Sequence, residues 1–145
     1  MGELDWIRSH VERCLQQVWG HEPEPDADGD VSFRYGSAEG WVMVLDGNPP
    51  TVHVFAHVVE GVKRTSKLLI ELNDTQRAVG PALFWYDGTV IAHEVLSPHG
   101  LTSESLSMAL SDVGDLADHH GPLLAAVHGG TTPHPATAGI SEEVT

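Results

Sequence analysis

Apolar residues recur along this chain with two different periods. Leu4, Ile7, Val11, Leu15, Val18 and Trp19 return at three- and four-residue steps, one face of a helix, and Gly20 ends the run. Glu3 and Asp5 stand near its start, where the helix dipole favours anions. Gly20 to Asp30 is a polar, acidic, Pro-containing loop. Beyond it the period falls to two. Val31 to Tyr35, Gly40 to Leu45 and Thr51 to Val59 read as strands, separated by turns at Gly36 to Gly40 and at Asp46-Gly47-Asn48-Pro49-Pro50. The third strand is apolar on both sides: Val52, Val54, Ala56 and Val58 alternate with His53, Phe55, His57 and Val59. Such a strand is either covered twice or meets a partner with its second face.

The helical period returns at Thr65, Leu68, Leu69 and Leu72, and Gly80-Pro81 closes that segment. Lys63, Arg64 and Lys67 lie near its start, where cations oppose the dipole. With Arg77 they form a local basic island. Ala82 to Leu96 carries a hairpin signature, with aromatic and branched residues flanking Asp87-Gly88. A third helix starts at a Thr102 or Ser103 cap, has Glu104 in its first turn, and lines up Leu106, Leu110, Val113 and Leu116 or Ala117 on one face. Gly121-Pro122 is expected to stop or kink it, with one further turn to Val127. From His128 the composition of Gly, Thr, Pro, Ala and Glu predicts a disordered tail. The folded domain is therefore expected over residues 1–127 and the tail over 128–145. The order is α-β-β-β-α-β-β-α, an α+β class with an antiparallel sheet of about five strands and flanking helices.

Composition narrows the function. The chain has 145 residues, 41% of them apolar, and a formal net charge of -14. Seven Lys and Arg against 21 Asp and Glu argue against nucleic acid and against anionic membrane surfaces. No apolar run is long enough to span a bilayer, and the acidic start is unlike a secretion signal. Position 6 is Trp6, where myristoylation at Gly2 needs Ser or Thr. A cytoplasmic protein is expected. Cys14 is the only cysteine, so no internal disulfide forms, and its place among the apolar positions of the first helix marks it as a core residue.

Ten histidines raise the question of a metal. His53 and His57 share a strand face, about 13 Å apart at about 3.3 Å per residue, too far to hold one ion directly. His93 on the hairpin is placed to approach either one, while Glu94 points the opposite way. His119 and His120 are adjacent on a helix and face different directions. His99, His128 and His134 fall in loops or tail. No His-x-x-x-His or Glu-x-x-His helical pair exists, so half-buried imidazoles are the expectation, with no metal and no cofactor. Asp26-Ala27-Asp28-Gly29-Asp30 opens like a calcium loop but fails it. Counted from Asp26, Val31 stands where glycine is needed and Ser37 where glutamate is needed. An acidic surface loop is the better reading. No nucleophile motif or phosphate-binding glycine loop is present, and Glu142-Glu143 fall in the tail as solvated groups, so no catalytic residue is assigned. Trp6 and Trp19 fall on the first helix, and Trp41 and Trp85 on strands. Each alone reads as packing, but the set, beside a two-faced third strand, predicts some exposed apolar surface.

The order of these elements, with Phe33-Arg34-Tyr35, Trp41-Val42-Met43-Val44, the Val52 to Val59 strand, Leu68-Leu69-Ile70-Glu71-Leu72-Asn73, Trp85-Tyr86-Asp87-Gly88-Thr89-Val90 and Gly100-Leu101-Thr102, resembles the YbjN family and, more broadly, the fold of type III secretion chaperones. The resemblance spans Leu4 to Val127. It implies a non-catalytic, acidic homodimer that holds a partly unfolded client segment along apolar patches. Trp41, Met43, Phe55 and His57 would accept the client's alternate side chains, with main-chain hydrogen bonds added at an edge strand. The second helix and the Leu83 to Tyr86 strand would carry the dimer, through Leu69, Leu72, Phe84 and Trp85. Two other classes stay open: an interaction module in a larger complex, and a small-ligand or metal binder using His53, His57 or His93.

Overall fold

The computed structural model describes residues 2–76 and 80–135. Arg77 of the basic island, Glu142-Glu143 and residues 136–145 of the expected tail lie outside the described residues. The elements are α1 (Glu3–Trp19), β1 (Val31–Tyr35), β2 (Ala38–Leu45), β3 (Thr51–Glu60), α2 (Ser66–Thr75), β4 (Ala82–Tyr86), β5 (Thr89–Leu96) and α3 (Ser103–His128). This is the α-β-β-β-α-β-β-α order read from the periodicity. The five strands form one antiparallel sheet in the order β1-β2-β3-β5-β4.

Local chemistry explains the joints. Asp87 and Gly88 both have positive φ, 49° and 87°, as a two-residue turn matching the strand twist requires. Thr65 caps α2 by accepting the Leu68 N–H at 3.1 Å, and Thr102 caps α3 by accepting the Ser105 N–H at 3.0 Å. The outermost strand, β4, is closed by a side chain. Gln76 donates to the Leu83 carbonyl and accepts the Leu83 N–H, so its amide imitates a neighbouring strand.

Helices α1 and α3 pack together, and α3 runs across β1, β2, β3 and β5. The face beneath them holds Val42, Val44, Val52, Val54, Ala56, Val90 and Ala92, closed from above by Leu15, Leu106, Leu110 and Val113, all buried. Each such valine or leucine side chain contributes roughly 1.5–3 kcal/mol. Cys14 lies in this core, and burial pushes its thiol pKa up. Two aromatic rings of β1 settle on glycines. Phe33 covers Gly40, and Tyr35 covers Gly114, where an added Cβ would lie 2.4 Å from the ring. The Tyr35 hydroxyl donates to Asp115 at 2.5 Å; burial first, then that bond, pushes its pKa up to about 12.

Strict alternation fails in one place. Val59 was expected beside His53, Phe55 and His57. A bulge after His57 pairs Val59 with Val90, and both Val58 and Val59 are buried. Helix α3 passes Pro122 and adds the further turn expected there, running to His128 and capped by Gly129 at φ 84°. Tertiary packing overrides the lost hydrogen bond, because Gly121 and Leu124 on either side of Pro122 are both buried.

The chain is also ordered past Val127. His128 bonds Glu71 of α2, Thr131 exchanges both backbone hydrogen bonds with Glu60 at 2.8 and 2.9 Å, and the His134 N–H donates to the Ser37 carbonyl at 3.0 Å. Residues 129–135 thus form a strap from the end of α3 across the ends of β3 and β2, where composition alone suggested a tail.

Candidate functional site: the uncovered face of the sheet

The helices leave the second face of the sheet uncovered by any described element. Alternation places Glu39, Trp41 and Met43 of β2, Thr51, His53, Phe55 and His57 of β3, Ile91, His93 and Val95 of β5, and Ala82, Phe84 and Tyr86 of β4 on this face. Register then aligns them in rows. Met43 faces His53, which faces Val95. Trp41 faces Phe55, which faces His93. Glu39 faces His57, which faces Ile91, which faces Phe84.

The middle of the face is aromatic. The Trp41 and Phe55 rings stack 5.3 Å apart, and Trp41 lies 4.8 Å from His57. Phe55 meets His93 edge-on at 6.5 Å, and His93 meets Phe84 edge-on at 6.1 Å. Four strands therefore contribute to one continuous row of rings. Such rings offer large apolar area with little side-chain entropy to lose on binding. Val95 is 49% exposed, Leu45 41% and Phe84 39%, so the row opens to solvent at its margins.

The rim is polar. His57 bonds Glu60 at 3.0 Å, and His134 of the strap bonds Glu39 at 2.5 Å. Arg34 stands opposite Glu39 on β1, its guanidinium donating to the Gly36 carbonyl at 3.0 Å. Apolar centre and polar margin is the layout of a protein-binding surface.

The four residues expected to bind peptide, Trp41, Met43, Phe55 and His57, all lie half-buried on this one face. The four expected at a dimer interface divide. Leu69 is 43% exposed and Phe84 points outward, but Leu72 is 4% exposed, turned into the core with Leu68 one helical turn away. Leu72 is therefore unavailable to a partner. Trp85 is half-buried on the helix side, its Nε1 donating to the Val62 carbonyl at 2.9 Å and its ring 5.7 Å from the Arg64 guanidinium. Of the other tryptophans, Trp6 is half exposed and stacks on His10 at 5.5 Å, and Trp19 stacks on His21.

Of the two approaches open to His93 on the hairpin, to His53 or to His57, the hydrogen bond is made with His53. His53 Nδ1 and His93 Nε2 lie 2.8 Å apart across β3 and β5. Burial lowers both pKa values, and for His53 the neighbouring His93 adds to the effect. The hairpin position brings His93 within reach of β3, and the register, with His93 opposite Phe55, sets it diagonal to His53.

Other polar groups have structural partners. Asp26 Oδ1 accepts the N–H groups of Asp28 and Asp30 at 2.9 and 3.0 Å, closing the acidic loop, and burial together with Asp26 and Asp28 raises the Asp30 pKa. A cleft of about 670 Å³ beside α3 is lined by Asp112, Asp115, Asp118 and His119, among others. Asp115 there holds Tyr35, and Asp118 holds Ser37 through its N–H and hydroxyl, both at 2.8 Å.

Comparison with known proteins supports the fold. The chain is similar to a protein in the crystal structure of the ExsC–ExsE complex, with TM-score 0.66 and 16% identity over 86% of this chain and 97% of that one. It is similar to one in the HopA1–SchA chaperone–effector complex, with TM-score 0.61 and 12% identity over 79% and 91%. It also resembles one in the structure of the Yersinia pestis type III secretion chaperone SycH with a stable fragment of YscM2, with TM-score 0.58 and 14% identity over 77% and 96%. No curated protein sequence matches the chain. The family model TY-Chap1, "T3SS (YopN, CesT) and YbjN peptide-binding chaperone 1", matches residues 5–136, and the chain belongs to that family.

Proposed function

We propose that this protein is a non-catalytic, peptide-binding chaperone that holds an extended segment of a client protein against the uncovered sheet face. The observation that carries the reading is the row of rings Trp41, Phe55 and His93 across β2, β3 and β5, with no described element over it. An extended client would place alternate side chains among these rings. Met43 at the margin adapts to differing shapes. β1 is the outermost strand on the other side, without a main-chain neighbour beyond it among the described residues, and offers hydrogen bonds for strand addition. The net charge of -14 favours basic client segments. Family membership and the likeness to chaperones solved with bound proteins or fragments support the same reading.

The working form is a cytoplasmic homodimer joined through the outward residues of α2 and β4, Leu69, Ile70, Phe84 and Tyr86, with Leu72 and Trp85 behind them as support. Among the described residues, no helix is long and apolar enough to cross a membrane.

The test is affinity capture of the tagged chain from its native cell extract, followed by mapping of the retained protein to a minimal peptide. One or two proteins held through a short unfolded segment, and released by Trp41→Ala and Phe55→Ala variants that remain folded, are expected. Capture of a folded multi-subunit assembly indifferent to both substitutions would replace the chaperone reading with an interaction module.

A further inference from the structure

Three imidazoles of this protein pair with carboxylates: His57 with Glu60, His128 with Glu71 and His134 with Glu39. His53 and His93 instead hydrogen-bond each other at 2.8 Å, with their planes inclined by 12°. We propose that this cross-strand pair is a site for a single transition-metal ion of the copper or zinc class, set into the face that binds the client.

The backbone supplies the preorganisation. His53 pairs with Val95 and His93 with Phe55, so the two imidazoles are diagonal neighbours on the same face of a paired ladder. One nitrogen of each ring converges on the space now filled by a shared proton. An ion takes that proton's place when the ring carrying it moves the proton to its other nitrogen, so the neutral pair binds without net proton release. Metal–nitrogen bonds of about 2.0–2.1 Å at a tetrahedral ion need the nitrogens only about half an ångström further apart. Small side-chain rotations supply that opening.

The surroundings fit a borderline or soft ion. The other nitrogen of His53, Nε2, lies 2.8 Å from Thr51 Oγ1, the kind of outer hydrogen bond that orients metal-bound imidazole. Burial lowers both imidazole pKa values, so protons compete less for the lone pairs. Met43 stands directly opposite His53 on β2, on the same face of the sheet. The remaining coordination positions face outward. Resting on the peptide-binding reading for this last step, a cysteine, histidine or carboxylate of the client would complete the ion and be selected by it.

The experiment is calorimetric titration of the full chain, without a histidine tag, with Zn(II) and separately Cu(II) in a weakly coordinating buffer at pH 7. One ion per chain is expected, weakened at least about tenfold by His53→Gln and by His93→Gln singly. His57→Gln and the Asp26→Asn, Asp28→Asn pair are expected to leave it unchanged. No saturable binding, or affinity retained in both His53 and His93 variants, overturns the proposal. Should either variant fail to fold, imidazole nitrogen resonances of the unsubstituted chain decide. Zn(II) must shift His53 Nδ1 and His93 Nε2, and shifts confined to other histidines reject the site. Client capture is compared with and without chelator: loss in both bears on peptide binding, and loss in chelator alone bears on the metal.

Discussion

Trp41 and Phe55 stand directly opposite each other on β2 and β3, their rings stacked 5.3 Å apart at 23° on the side of the sheet away from α1 and α3. Neither ring is buried, and each lines a surface that no described element covers. Replacing either by alanine is expected to cost about 1–2 kcal/mol of stability, less than a fully buried aromatic, while reducing client affinity at least tenfold. A double-mutant cycle isolates their coupling, expected at about 0.5–1.5 kcal/mol. Urea unfolding read beside peptide binding separates the two effects. A stability loss as large as for a core residue, with binding intact, would mean that the pair is framework.

Gly114 exists for Tyr35. A glycine inside an exposed helix is usually improved by alanine, by roughly 1 kcal/mol. Here the added methyl would sit 2.4 Å from the Tyr35 ring, so Gly114→Ala is expected to destabilise by about 1–3 kcal/mol instead. In a Tyr35→Ala background the same substitution should become neutral or favourable. Thermal unfolding of the four proteins reads the sign reversal.

Leu69 and Leu72 make opposite predictions from one helix. Leu69 faces outward beside Ile70, and Leu72 faces the core beneath it. Leu69→Asp is expected to yield a folded monomer by light scattering, at half the mass of the unsubstituted protein. Leu72→Asp buries a charge without a partner and is expected to unfold the chain. A dimer unaffected by Leu69→Asp would move the interface elsewhere.

Periodicity made most of this architecture legible, because each helix and strand carries its own apolar phase. The sites of failure share a cause. Val59 obeys alternation in sequence, yet a bulge set by the pairing with β5 turns it inward. Thr131 and His134 look like tail by composition, yet are held by Glu60, Ser37 and Glu39, more than 70 residues away in sequence. The candidate site divides in the same way. Alternation sets Trp41 with Met43 on β2 and Phe55 with His57 on β3, and the β2–β3 register puts both pairs on one face. The His53–His93 contact depends on the strand order β3-β5, which no local pattern encodes.

His53 and His93 give the fold a pH dependence of known sign. Both pKa values are lowered by burial, so the folded chain resists protonation that the unfolded chain accepts. Their contribution is present above the unfolded value of about 6.5 and is lost as pH falls through the folded values. Their surroundings are Thr51, Met43, Phe55, Phe84 and Val95, with the carboxylates Glu39 and Glu60 out at the rim. Denaturation midpoints are expected to fall between about pH 6.5 and pH 5. The fall should be shallower in His93→Phe, which removes one imidazole and keeps an aromatic ring. An unchanged slope would place the titration elsewhere.

Glu94 carries the opposite sign. It lies on the helix-covered side of β5, with Oε1 buried and lacking a hydrogen-bond partner among the described residues. Burial raises its pKa first, and the nearby Asp112 raises it further. A raised folded pKa means that the protonated form is favoured by folding. The group's contribution is therefore fully present below its unfolded value, about 4.3, and is lost as pH rises through the folded one. Glu94→Gln removes the charge while keeping the shape. It is expected to unfold at a higher temperature than the unsubstituted protein at pH 7, with the difference vanishing near pH 4. Asp112→Asn relieves only the smaller of the two causes and should give a smaller rise. Equal melting temperatures for Glu94→Gln and the unsubstituted chain at pH 7 would show that the carboxylate is solvated in solution. The ordering of the two variants distinguishes burial from charge repulsion as the dominant cost, since only repulsion would bring Asp112→Asn level with Glu94→Gln.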